Sequence, residues 1–191
     1  MSGMAGTEAG APTVVGARAK KEKEKVPAVE GWFAPGGSDG APPTLLGSRC
    51  SSCGTYAFPR EQLSCRNPKC GGTELEEVSL SRRGRVWSYT DARYQPPPPY
   101  VAAEPYRPFV IAAVELAAEG MVVMGQMTAD TTVDDVIVGD EVELVVDTLY
   151  EDEEHEYLVW KWRKVEGAPA RGPKSGVAPS HPPGPDAGDG G

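Results

Sequence analysis

From about residue 74 onward, apolar and polar positions alternate with the two-residue period of β-strands. Glu74–Ser79 forms one such segment, and Arg85–Thr90 (RVWSYT), rich in β-formers, follows Gly84. Pro108–Leu116 (PFVIAAVEL) has the apolar content of a buried strand. Met121–Met127 (MVVMGQM) follows it across Glu119-Gly120, the pattern of a hairpin. Gly139-Asp140 precedes Glu141–Val146 (EVELVV), which alternates charged and apolar residues at its start. Tyr157–Val165 (YLVWKWRKV) sets Leu158, Trp160 and Trp162 on one face, with Lys161 and Arg163 on the other.

These segments predict a mainly β chain with five strands between residues 81 and 166 and no helix longer than two turns. Small all-β barrels of this size include the five-stranded OB-fold.

The pattern fails at both ends. Residues 1–28 hold little that could enter a core and include the run Ala-Lys-Lys-Glu-Lys-Glu-Lys (19–25). Residues 167–191 are almost entirely Gly, Pro, Ala, Ser and charge. Neither can bury enough apolar surface to offset the entropy of ordering, so both are expected to be disordered tails. The expected layout is a tail over 1–28, a short segment over 29–43, a compact unit over 44–80, a barrel over 81–166 and a tail over 167–191. The alternating signs of the Lys/Glu run make it a solvated segment, not a nucleic-acid-binding arm. The first 25 residues lack the apolar stretch of a secretory signal, and no run has the length of a membrane span. The expectation is a soluble, cytoplasmic protein.

Charge changes the picture of possible partners. Between Leu45 and Val110 there are nine basic and six acidic residues; between Ile111 and Glu166 there are three basic and fifteen acidic. A net charge of −9 opposes general binding to phosphate backbones.

Two connections stand out. Gln95–Tyr106 (QPPPPYVAAEPY) carries four consecutive prolines, which enforce extended polyproline geometry and exclude a central strand. It is expected to be a long barrel loop that either faces solvent, meets a partner or lines a ligand entrance. Glu151–Glu156 (EDEEHE) is expected to be a solvated hairpin loop; it lacks the turn glycine of an ordered calcium site.

The candidate chemistry lies in the cysteines. All four fall within 21 residues, as C-x2-C-x11-C-x4-C: Cys50, Cys53, Cys65 and Cys70. Each short spacing can form a turn that aims two thiolates at one tetrahedral ion. Gly54 follows the first pair and Gly71-Gly72 the second, suiting the backbone after such turns. A zinc ribbon with a closed, structural site is the expectation, since four thiolates leave no position for a reacting water. Iron in a rubredoxin-like site satisfies the same ligands. A redox C-x-x-C pair would require a strand-then-helix context that does not surround Cys50.

An independent active site is not evident. The two histidines are His155, in the acidic loop, and His181, in the C-terminal tail. Ser38 falls in a G-x-S-x-G string (Gly36-Gly37-Ser38-Asp39-Gly40) but not in the strand-then-helix context of a nucleophile elbow, and phosphate-cradling glycine motifs are absent.

The order of parts is itself informative. A Trp32-Phe33 segment precedes Leu45–Arg60 (LLGSRCSSCGTYAFPR), then Cys65 and Cys70. Gly84–Thr90, Pro108–Leu116 and Val138–Val142 (VGDEV) follow. Over roughly residues 30–165 this resembles the zinc-ribbon plus OB-fold family, long a domain of unknown function, encoded beside thiolases in bacteria and archaea. The Cys65/Cys70 pair departs from the C-P-x-C of many relatives, which bears on loop shape. The resemblance implies a rubredoxin-like zinc ribbon followed by a five-stranded OB-fold barrel. It also implies a non-catalytic accessory subunit in a hetero-oligomer with a thiolase-fold enzyme of lipid or steroid metabolism: a thiolase, an acyltransferase or a lipid-transfer-protein-type retro-aldolase. Such a subunit stabilises the enzyme and helps shape its acyl-CoA channel. The cofactor would be structural Zn2+, with a CoA thioester only at a site shared with the partner. Arg82, Arg83 and Arg85 are then candidates for contact with CoA phosphates.

The competing reading is a single-stranded nucleic-acid-binding zinc-ribbon/OB module, with Tyr89, Tyr94 and Tyr100 stacking on bases. The acidic second half opposes it.

Overall fold

The computed structural model describes residues 23–37, 40–97, 101–102 and 104–167. Ten strands run in chain order: β1 (Glu24–Pro27), β2 (Phe33–Ala34), β3 (Thr44–Cys50), β4 (Tyr56–Ala57), β5 (Leu75–Ser79), β6 (Arg83–Ala92), β7 (Phe109–Leu116), β8 (Met121–Met127), β9 (Glu141–Glu151) and β10 (His155–Lys164). A single 3-10 turn, Val133–Asp135, is the one helical element among the described residues.

The smaller sheet centres on β3. Its start pairs with β2 and its end with β4 on one edge, while β5 pairs along the other. The larger sheet runs β1-β10-β8-β7-β6-β9, and β9 pairs back onto β10 to close a five-stranded barrel. Alternation decides which face turns inward. Val110, Ala112, Val114 and Leu116 of β7 are buried, as are Val142 and Leu144 of β9 and Leu158, Trp160 and Trp162 of β10. The expected β7–β8 hairpin is present, with Ala113 opposite Met124 and Glu115 opposite Val122.

The two sheets share one core. Phe33, Leu45 and Leu80 of the ribbon side belong to the same buried cluster as Val86, Val114, Leu144 and Trp162 of the barrel. An aromatic cluster fastens the junction: Trp160 lies 5.8 Å from Trp32, 5.7 Å from Phe33 and 5.8 Å from Phe58, centroid to centroid. Such ring pairs contribute about 0.5–1.5 kcal/mol beyond their buried area. The ribbon is thus held against the barrel by packing as well as by the chain connection.

Three expectations need correction. Glu24–Pro27 lies within the segment assigned to a disordered tail, yet it forms β1, parallel to the first half of β10. Composition misses it because backbone pairing on a sheet edge does not require apolar burial. Charge adds to the pairing: Lys23 meets Glu151 at 2.5 Å and Lys25 meets Glu156 at 3.5 Å, so the Lys/Glu run complements the acidic hairpin. The segment 29–43 likewise includes β2 and belongs to the ribbon sheet. Lys161 occupies the outward face as expected but is only 8% exposed, its ammonium 2.6 Å from Asp147. Residues 1–22 and 168–191 lie outside the described residues, as do Pro98–Tyr100 of the polyproline connection. That connection ends with the Tyr106 hydroxyl donating to the Ala92 carbonyl at 2.6 Å, which ties it back to the end of β6.

Candidate metal centre and charged surfaces

The four cysteines converge. β3 delivers Cys50, and a tight turn follows in which the Gly54 N–H donates to the Cys50 carbonyl at 2.8 Å. Gly54 adopts φ +73°, a left-handed backbone that non-glycine residues rarely take. The second turn is built similarly: Cys70 N–H donates to the Asn67 carbonyl at 3.0 Å, Cys65 N–H to the Gly72 carbonyl at 2.8 Å, and Gly71 has φ +63°. The Asn67 side chain accepts the Lys69 N–H at 3.0 Å, closing the longer x4 loop without the usual proline spacing. Gly72 passes close to the sulfurs; a Cβ there would lie 3.2 Å from Cys50 Sγ and 3.3 Å from Cys70 Sγ.

All four Sγ atoms lie within 4.8 Å of one another, with Cys53 and Cys65 at 3.5 Å and Cys50 and Cys70 at 3.8 Å. A tetrahedral ion with metal–sulfur bonds of about 2.3 Å requires sulfur–sulfur edges of about 3.8 Å. The cage therefore has the size of a four-thiolate metal site, and no disulfide joins any of the four.

The electrostatics of the four thiols point the same way. The Cys53 thiol is lowered to about 6, chiefly by the Thr55 hydroxyl 3.2 Å away and by the Thr55 N–H. Cys50 is also lowered, first by the Cys53 N–H. For Cys70 the Gly72 N–H acts downward, but the Cys53 thiolate, burial and Cys50 outweigh it and push the thiol up to about 12. Cys65 is raised too: burial and the Cys53 and Cys50 sulfurs overcome the Asn67 N–H. Four thiolates this close cannot coexist without a cation between them, and the donor set fits a zinc ion.

The arginine triplet is split by the strand it sits on. Arg82 donates to the Pro43 carbonyl at 2.9 Å, so its guanidinium ties the barrel to the ribbon. Arg83 and Arg85 point outward and face the glutamates of β9. Arg83 lies 3.6 Å from Glu141 and 3.5 Å from Glu143, and Arg85 lies 3.7 Å from Glu141. Strand pairing explains this, since Arg83 is opposite Glu143 and Arg85 opposite Glu141. The two arginines flank a shallow depression of about 220 Å³.

A larger open cleft, about 460 Å³, combines Arg83 with Arg163, Lys164 and Glu143. Arg163 donates to Glu143 at 2.5 Å, and this bond holds the Glu143 carboxyl below its ordinary range. The sequence does not assemble this group, because Arg83 and Arg163 are eighty residues apart and meet only through β9. The alternating charges of Lys161, Arg163 and Glu143 are the local signal of an outward face.

The tyrosines weighed for base stacking do not assemble. Tyr89 is half-buried against the core, Tyr94 is 77% exposed and Tyr100 lies outside the described residues. Among the described residues, no helix is long and apolar enough to cross a membrane.

Comparison with known proteins agrees with this architecture. Residues 38–76 match the family profile described as ChsH2, rubredoxin-like zinc ribbon domain, and residues 77–147 match that described as ChsH2, C-terminal OB-fold domain. A DUF35 domain-containing scaffold protein of Methanocaldococcus jannaschii is 38% identical over 109 residues, covering 56% of this chain and 71% of that protein. The benzoylsuccinyl-CoA thiolase subunit BbsA of Geobacter metallireducens is 32% identical over 152 residues, covering 76% of this chain and 94% of the relative. Among solved structures, a chain of an Ltp2-ChsH2(DUF35) aldolase is similar, with 27% identity, a TM-score of 0.48 and coverage of 63% of this chain and 84% of that one. The cysteine cage, the closed barrel, the two profile matches over residues 38–147 and the similarity over 94% of the Geobacter metallireducens relative place the chain in the DUF35 family, which joins a ChsH2-type zinc ribbon to an OB-fold domain.

Proposed function

We propose that this chain is a non-catalytic accessory subunit of an acyl-CoA-processing enzyme with a thiolase fold. It docks on that enzyme, stabilises it and contributes to its acyl-CoA channel. The observation that carries the reading is the similarity over 94% of a relative named as a thiolase subunit. Relatives named as scaffold proteins support it further. The chain's own chemistry agrees: among the described residues, the one cluster of cysteine and histidine side chains is the cage of Cys50, Cys53, Cys65 and Cys70.

Zinc in that cage would be structural, fixing the two turns at the end of β3. Four protein thiolates fill the coordination sphere, so the ion would hold shape and not bind substrate. Contact with CoA phosphates would fall to Arg83 and Arg85, whose side chains are 62% and 40% exposed. Their pairing with Glu141 leaves little net positive charge, so such contacts would be completed by the partner.

The test is affinity purification of the full chain from its native host, followed by mass spectrometry and assay. A stable hetero-oligomer with a thiolase-fold subunit is expected, with that subunit losing solubility or activity when this chain is deleted. A chain that stays monomeric beside a fully active thiolase, or that turns over acyl-CoA alone, overturns the reading.

A further inference from the structure

The outer face of β6, β7 and β8 carries apolar side chains where a solvated barrel would carry polar ones. Register places them side by side. Ala113 of β7 has Met124 of β8 on one flank and Ser88 of β6 on the other, and Val122 is the next outward residue on β8. Between Val86 and Ser88 the pairing slips by one, and Trp87 is the extra residue. A bulge of this kind re-aims a side chain, and here Trp87 is left 63% exposed. Met124 is 64% exposed. The turn carrying Ile137 and Val138, both exposed, lies against this edge, because Gly139 N–H donates to the Val86 carbonyl at 2.8 Å.

A scattered exposed apolar residue needs no explanation, but a contiguous patch on the order of a few hundred Å² marks an interaction site. Tryptophan and methionine are enriched in interface cores, and tryptophan also in their energetic hot spots. β7, at the centre of the face, is paired along its length with β6 and β8, whereas β6 meets β9 only at Arg83–Arg85 and β8 meets β10 only at Gln126–Met127. The centre of the face therefore offers side chains and not backbone, and a partner that covers it packs flat.

Charge selects the occupant. Two copies of a chain with net charge −9 would bring like-charged barrels together. The patch itself is uncharged, with the facing Arg85 and Glu115 at its border. A heterologous protein with an apolar centre avoids that repulsion and complements the patch.

We infer that the outer face of β6–β7–β8, centred on Trp87 and Met124, is the surface that docks the thiolase-fold enzyme subunit. This rests on the accessory-subunit reading and adds to it which face of the barrel is covered.

The test uses the full chain and the thiolase-fold subunit that co-purifies with it. Trp87→Glu and Met124→Glu should each weaken the complex at least about 30-fold, the loss typical of a hot-spot residue. Leu63→Glu, at an 83% exposed ribbon position, serves as control and should bind as the parent does. Zinc content and thermal melting of the free variants report folding. Hydroxyl-radical footprinting needs no substitution: Trp87 and Met124 should be protected from oxidation in the parent complex. Protection absent at both residues, or both variants binding within about threefold of the parent, overturns the assignment while leaving the accessory role intact. Self-association of the parent chain that the variants abolish also overturns it. No complex in the parent chain overturns the accessory role itself.

Discussion

The indole of Trp160 on β10 stands perpendicular to the ring of Phe58, with centroids 5.8 Å apart, and so joins the last barrel strand to the ribbon. Trp32 closes the group, edge-on to Phe58 at 5.9 Å and tilted on Trp160 at 5.8 Å. Trp160→Ala empties the centre of this cluster and should destabilise the chain by about 3–5 kcal/mol, as for other buried Trp truncations. A double-mutant cycle with Phe58→Ala, read by urea unfolding, should return a coupling of about 0.5–1.5 kcal/mol. Strict additivity would mean that the Trp160–Phe58 contact itself adds nothing to the junction.

Gly125 on β8 makes room for the same strand. A Cβ at this position would lie 2.8 Å from Trp162 Nε1 and 2.9 Å from Trp160 Nε1, closer than packed atoms tolerate. Both indole nitrogens are buried without a hydrogen-bond partner, so neither ring is tethered, but both are hemmed in by the core. Gly125→Ala should therefore cost about 1–3 kcal/mol in denaturant unfolding, the range for overpacked cores. In a Trp162→Phe background, which removes the pyrrole edge, the same substitution should cost less. Equal costs in both backgrounds would show that the indole is not what fills the space.

The barrel is largely legible in the sequence because β7 is an apolar run of strand length, β9 alternates at its start and β10 sets Leu158, Trp160 and Trp162 on one face. Which residues of β7 turn inward, Val110, Ala112, Val114 and Leu116, is decided by the structure. The cysteine cage is legible because short spacing alone brings paired thiolates together. β1 is not, since Glu24–Pro27 is held by the edge of β10 and by ion pairs with residues about 130 positions away. The Trp87 bulge is only hinted at locally: in RVWSYT the adjacent Val86 and Trp87 break the alternation, and pairing with Val114 and Ala113 shows that Trp87 is the extra residue. Pairing across β6 and β9 likewise decides that Arg83 and Arg85 face glutamates while Arg82 turns toward the ribbon.

The acidic hairpin should show its structure in acid. Asp152 accepts the backbone N–H groups of His155 at 2.6 Å and Glu154 at 2.8 Å, and the Tyr157 hydroxyl at 3.0 Å. These bonds favour the ionised carboxylate and hold it down to about 2. A depressed folded value means the turn is supported above the ordinary carboxylate value of 3.8 and loses support as pH falls through about 2. The amide resonances of Glu154 and His155 should accordingly titrate with a midpoint near that lower value. Asp152→Asn keeps an acceptor oxygen and should abolish this titration while leaving the hairpin formed. A midpoint at the ordinary value would mean that the Asp152 bonds do not persist in solution.

The metal cage makes the most demanding prediction, because its four sulfurs differ when no ion is bound. Cys53 ionises most readily, with the Thr55 hydroxyl beside it, whereas Cys70 is held up to about 12 by its neighbours. Zinc binding must therefore release protons, chiefly from Cys65 and Cys70 at neutral pH. Proton release measured in two buffers of different ionisation heat should fall below that expected for four ordinary thiols, because Cys53 is already largely ionised at neutral pH. Thr55→Val removes a group outside the ligand shell and should weaken zinc by about 10–100-fold, while Cys70→Ser should exceed that range. Because β3 carries both Cys50 and the core residue Leu45, loss of the ion should also lower the melting temperature of the barrel. Barrel melting that ignores a chelator would show that the ribbon folds as a separate unit, contrary to the shared core.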